Sequence, residues 1–103
     1  MSLTPPSFVN IGGKRIPINV LDEMPGRLAE YDSEYRCINI SAHILKDRQL
    51  FRDTIVHEVI HCALDLAGIS FNTSGVLSEK IEEQVVTAVE TLAAPAIIRV
   101  WRI

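Results

Sequence analysis

Thr54-Ile55-Val56-His57-Glu58-Val59-Ile60-His61-Cys62-Ala63-Leu64 decides how the rest of the chain is read. The stretch is apolar wherever it is not His57, Glu58 or His61, which predicts a helix buried on most sides. Residues four apart stand one above the other on a helix, so the two imidazoles converge on a common point. Two histidines in that relation are zinc ligands by type and spacing, and a glutamate one step round the turn lies beside the ion rather than on it. There a carboxylate serves as general base toward a water whose pKa the ion lowers to roughly 7. Burying these groups without partners is costly, and a metal relieves that cost.

Working outward, Asp47 is a fair N-cap and Gly68 is well placed to end the helix after Ala67. Before it, residues 35–41 alternate apolar and polar, the mark of a half-buried strand, expected at the sheet edge nearest the helix. Phe8-Val9-Asn10-Ile11 and residues 15–20 read as strands joined by a Gly12-Gly13 hairpin, with Pro17 marking the second as edge or irregular. Met24-Pro25-Gly26 punctuates the chain, and residues 29–34, with Tyr31 and Asp32, read as a polar turn. Residues 69–78 read as a loop. Ser78 caps a second helix running from Glu79 to about Ala94, which Pro95 stops or kinks. Residues 96–103 form an apolar tail with Trp101, expected to dock as a final strand or short helix. The fold class is α+β: one domain over 1–103, with a small twisted, mainly antiparallel sheet packed on the motif helix and a second, C-terminal helix.

At 103 residues the chain has room for one modest core. A net charge of −3 gives no basic field to hold nucleic acid or anionic lipid, so neither a nucleic acid nor a membrane is the expected partner. There is no secretion signal and no run of 18 apolar residues, so a cytoplasmic site is expected. Cys37 and Cys62 are then expected to stay reduced, with Cys62 packing as a small apolar group.

Catalytic zinc takes three protein ligands and keeps one position open. A motif extended by Gly and then His or Asp after the second histidine fails here, since those positions are Leu64 and Ala67. The other arrangement takes a glutamate from the next helix, where Glu79, Glu82, Glu83 and Glu90 lie. With Ile81 as zero and about 100° per residue, Val85, Ala88, Val89 and Leu92 define an apolar stripe near 30°. Glu82 falls on its flank at about 100°, and Glu79, Glu90 and Glu83 fall on the opposite side at about 160–200°. Glu82 is therefore the expected third ligand, with Glu83 and Glu79 as alternatives and the remaining acids solvated. Asp65 could orient a ligand from behind or simply be solvated. His43 lies outside the motif, and Tyr31 or Tyr35 could donate to an oxyanion.

Arg36-Cys37-Ile38-Asn39-Ile40, the helix with Thr54-Ile55-Val56-His57-Glu58-Val59-Ile60-His61, and Glu82-Glu83-Gln84-Val85-Val86 together resemble the small gluzincin-like metallopeptidases of phage and bacterial genomes related to the ImmA/IrrE family. The resemblance spans roughly 26–92, and its one highly specific motif is HExxH. It implies a zincin-like fold in which a twisted sheet packs on the active-site helix, with an edge strand that can bind an extended peptide. It matches His57 and His61 to the histidine ligands, Glu58 to the general base and Glu82 to the downstream glutamate. It departs at Val86, where the family often has Asn or Asp. The expected activity is zinc-dependent peptide-bond hydrolysis, with the substrate added as a strand beside residues 36–41. The alternative is a non-catalytic or latent zinc-binding regulatory or interaction module of (pro)phage origin, with residues 96–103 as its contact surface or folded over the cleft.

Overall fold

The computed structural model describes residues 2–101. Strands β1 (Phe8–Ile11) and β2 (Lys14–Leu21) pair antiparallel through a tight turn at Gly12 and Gly13, whose φ angles are 58° and 79°. Positive φ at both central residues gives a turn whose twist matches the strands it joins, and glycine adopts it without steric cost. Residues 18–21 of β2 then pair in parallel with β4 (Cys37–Ser41). A parallel pair needs a crossover, and here it carries β3 (Ala29–Asp32), which turns back antiparallel onto β4. The order β1-β2-β4-β3 is a mixed four-stranded sheet, and with the helices it makes the fold α+β.

Three expectations about the sheet are corrected. Pro17 does not put β2 at an edge; it sits where the partner of β2 changes from β1 to β4, a point at which a missing N–H is tolerated. Residues 29–34 are not all turn. Ala29 and Tyr31 lean on the core while Glu30 bonds elsewhere, an alternation too short to stand out in a polar sequence. Finally β4 is central, so the edge strand nearest the motif helix is β3. Asn39, half-buried between Ile38 and Ile40, lies on the opposite face from them, where its amide accepts from exposed Asn19 and donates to Glu30, each at 3.0 Å.

Helix α1 (Arg48–Leu66) begins where Asp47 accepts the N–H groups of Gln49 and Leu50. It ends in a Schellman turn, with Gly68 at φ 77° and N–H bonds from Gly68 to Asp65 and from Ile69 to Leu64. One face of α1, with Phe51, Ile55, Val59, Cys62 and Leu66, packs on Ile16, Ile18, Ile38, Ile40 and Ile44. Each fully buried isoleucine there contributes about 1.5–3 kcal/mol. Both cysteines are free and buried, as a small apolar role requires.

Ser78 caps α2 (Glu79–Ala88) by accepting from the Ile81 N–H. Pro95 does not stop the chain. A π-helical turn over Val89–Ala93 leads into α3 (Ala94–Trp101), and its wider spacing lets the helix run past a residue without an N–H. Trp101 is 83% exposed, so α3 projects rather than docks, and no described tail residue lines the cleft beside His61; residues 102 and 103 lie outside the described range. No helix among the described residues is long and apolar enough to cross a membrane.

Candidate metal centre

His57 and His61 leave the same side of α1, with ring centroids 5.0 Å apart. Each gives its Nδ1 to a carboxylate from the C-terminal helices: His57 to Glu90 at 2.9 Å and His61 to Glu82 at 2.7 Å. An ionised carboxylate only accepts, so both Nδ1 atoms carry a proton, and the Nε2 atoms are the ring nitrogens left to face the cleft. Glu83 stands on that Nε2 side, 2.8 Å from His61 and 3.9 Å from His57. A proton on Nε2 or a cation between the groups would each hold a carboxylate there. The ligand atoms of His57, His61 and Glu83 all fall within 4.8 Å of one another, bracketing the roughly 3.4 Å edge of a tetrahedral zinc site.

The glutamate on the Nε2 side of the histidines is Glu83, whereas Glu82, the expected third ligand, meets His61 at Nδ1. Glu82 is 1% exposed and lies behind His61, where its second oxygen accepts the Phe71 N–H at 3.0 Å. Burial pushes its carboxyl up, but donors from His61, Ser70 and Phe71 outweigh that and hold it below the ordinary carboxylate range. The helical-angle argument set Glu82 apart from the exposed Glu79 and Glu83, as the structure does, but took the apolar stripe as the inward face. The structure turns Glu82 and Val86 inward and leaves Ile81 and Leu92 exposed, Leu92 by 72%. Glu90, expected to be solvated, is partly buried against His57 and emerges from the π turn, which breaks the 100° count just where it sits. A proline five residues on was the available signal for that break.

Glu58 lies on the sheet-facing side of α1 and is 7% exposed. Burial pushes its carboxyl up, partly offset by the two imidazoles and the Tyr31 backbone N–H. It lines a cleft of about 330 Å³ together with Arg27, Tyr31, Phe71, Asn72 and Glu83. The Tyr31 hydroxyl donates to Asp65 at 2.5 Å, so it is spent, and Tyr35 is exposed. Asp65 touches neither histidine; its other oxygen accepts from Thr73. His43 is exposed and does not line the cleft. Comparison with protein-family models, curated proteins and solved structures finds no significant match to this chain.

Proposed function

We propose that this protein is a zinc-dependent peptidase in which His57, His61 and Glu83 hold the ion and Glu58 is the general base. The observation that carries the reading is the convergence of both Nε2 atoms and the Glu83 carboxylate within 4.8 Å while both Nδ1 atoms are hydrogen-bonded to other carboxylates. Carboxylates behind metal-binding histidines fix the tautomer and raise ligand basicity, which is the role of Glu82 and Glu90. When bound, zinc lowers the pKa of a water and polarises the substrate carbonyl. Glu58 would take a proton from the attacking water and pass it to the leaving amine, and burial, which pushes its carboxyl up, suits it to that role. The peptide adds as a strand along the free edge of β3, rather than beside β4, whose two sides are taken by β2 and β3.

A closed structural site would need a fourth protein donor. Glu82 and Glu90 are committed to Nδ1 atoms, which favours an open coordination position and therefore catalysis. The HExxH resemblance described above points the same way. The direct test is elemental analysis with a hydrolysis assay. The purified protein should carry one zinc per chain and cleave fluorescein-labelled casein, with a chelator abolishing cleavage and added zinc restoring it. Metal-free protein that cleaves casein at the same rate would sink the reading. Glu90→Ala is expected to weaken zinc binding by about 10-fold, the lower end for a residue orienting a ligand, measured by competition with a chromogenic chelator.

A further inference from the structure

Residues 71–73 are held more firmly than a surface loop requires. The Phe71 N–H donates to Glu82 on α2 at 3.0 Å, the Asn72 N–H to Ser70 Oγ at 3.2 Å, and the Thr73 hydroxyl to Asp65 on α1. Ser70 is buried, and its carbonyl accepts the Thr73, Ser74 and Gly75 N–H groups at 3.0–3.1 Å. Asp65 is buried too, and its second oxygen holds the Tyr31 hydroxyl of the edge strand. With its backbone so fastened, Asn72 lines the metal cleft, and its carboxamide makes no hydrogen bond among the described residues.

Water attack on a peptide carbonyl puts negative charge on the carbonyl oxygen, and a positioned donor there lowers the barrier. The cleft holds few donors that are free. The Tyr31 hydroxyl is committed to Asp65, Arg27 spends one of its N–H groups on Glu30 at 2.5 Å and stands 57% exposed, and the imidazole Nδ1–H groups go to Glu82 and Glu90. The Asn72 side-chain N–H remains. We propose that Asn72 is a further catalytic residue, donating this N–H to the scissile carbonyl oxygen as it gains charge. Asp65 and Glu82 are then positioning residues, holding the loop through Thr73 and Phe71. The inference rests on the peptidase reading. In the attack, the water oxygen bonds to the carbonyl carbon, its proton goes to Glu58, and the π pair moves to the oxygen that Asn72 meets. On collapse that pair re-forms the carbonyl, the C–N bond breaks, and the proton on Glu58 goes to the amine nitrogen.

The test compares zinc-loaded wild type, Asn72→Ala, Asn72→Gln, Thr73→Val and Glu58→Gln on fluorescein-labelled casein, with zinc affinity measured alongside. Asn72→Ala should lower kcat by about 10²-fold, leaving KM and zinc affinity nearly unchanged. Asn72→Gln should recover part of the loss. Thr73→Val should lose less than Asn72→Ala, and the double variant no more than Asn72→Ala alone. An unchanged kcat in Asn72→Ala, or a loss confined to KM, overturns the assignment while leaving the peptidase reading intact. Wild type that cleaves nothing, or Glu58→Gln that cleaves as fast as wild type, overturns the peptidase reading, and the role of Asn72 falls with it.

Discussion

Glu58→Gln should keep its zinc and lose about 10³-fold in casein hydrolysis. The substitution preserves the shape and hydrogen-bonding reach of a side chain that is 7% exposed, so the sheet face of α1 should pack as before. What it removes is basicity. The Glu58 carboxyl is pushed up chiefly by burial, which is what lets it hold a proton between attack and departure of the amine. A carboxamide accepts hydrogen bonds but not that proton, and positioned general bases contribute roughly 10²–10⁴-fold. Zinc affinity should move little because Glu58 pairs with neither imidazole. Parallel measurement of bound zinc and rate therefore separates base from ligand. Loss of metal in step with activity would make Glu58 a ligand instead.

The second large effect distinguishes Glu83 from Glu82. Glu83→Ala should weaken zinc binding by about 10³-fold, more than the roughly 10–100-fold typical of a residue behind a ligand. Metal-free Glu83→Ala should melt close to wild type, since the Glu83 side chain is 50% exposed and a pair with His61 so open to solvent is weak. Glu82→Ala should behave the other way. Its zinc loss should stay within the outer range, but the metal-free protein should lose about 1–3 kcal/mol, because the His61 N–H and the Phe71 N–H lose their acceptor. Glu82→Gln, which still offers a carbonyl oxygen, should recover part of that stability. If Glu82→Ala costs more zinc affinity than Glu83→Ala, the two assignments must be exchanged.

The motif helix was legible because its signals are local. Asp47, Gly68 and the four-residue spacing of His57 and His61 each act within a turn or two, and the structure places all of them as expected. The Gly12-Gly13 hairpin and the Ser78 cap were readable for the same reason. What escaped depends on partners far along the chain. β4 became central only because β2 pairs with it across a crossover, and nothing within 35–41 reports that. The inward face of α2 escaped because apolar periodicity assumes that the buried side of a helix is the apolar one. Here the inward side carries Glu82, whose partner is an imidazole on another helix, with the exposed Glu83 beside it against the same ring. Asn72 carried no periodic signal at all; it matters through what fastens its neighbours.

That inversion of α2 bears on what secures the end of the chain. Among the described residues, the hydrophobic cluster built on Ile16, Ile38, Ile40 and Ile44 takes in none beyond Leu66. The segment from Glu79 onward is moored to the rest by buried Val86, by the Phe71 N–H on Glu82 and by acid–imidazole pairs around His57 and His61. An ion gripped between the two would thus act as a rivet as well as a reagent, so stripping it away should free the last quarter of the molecule long before the sheet gives way.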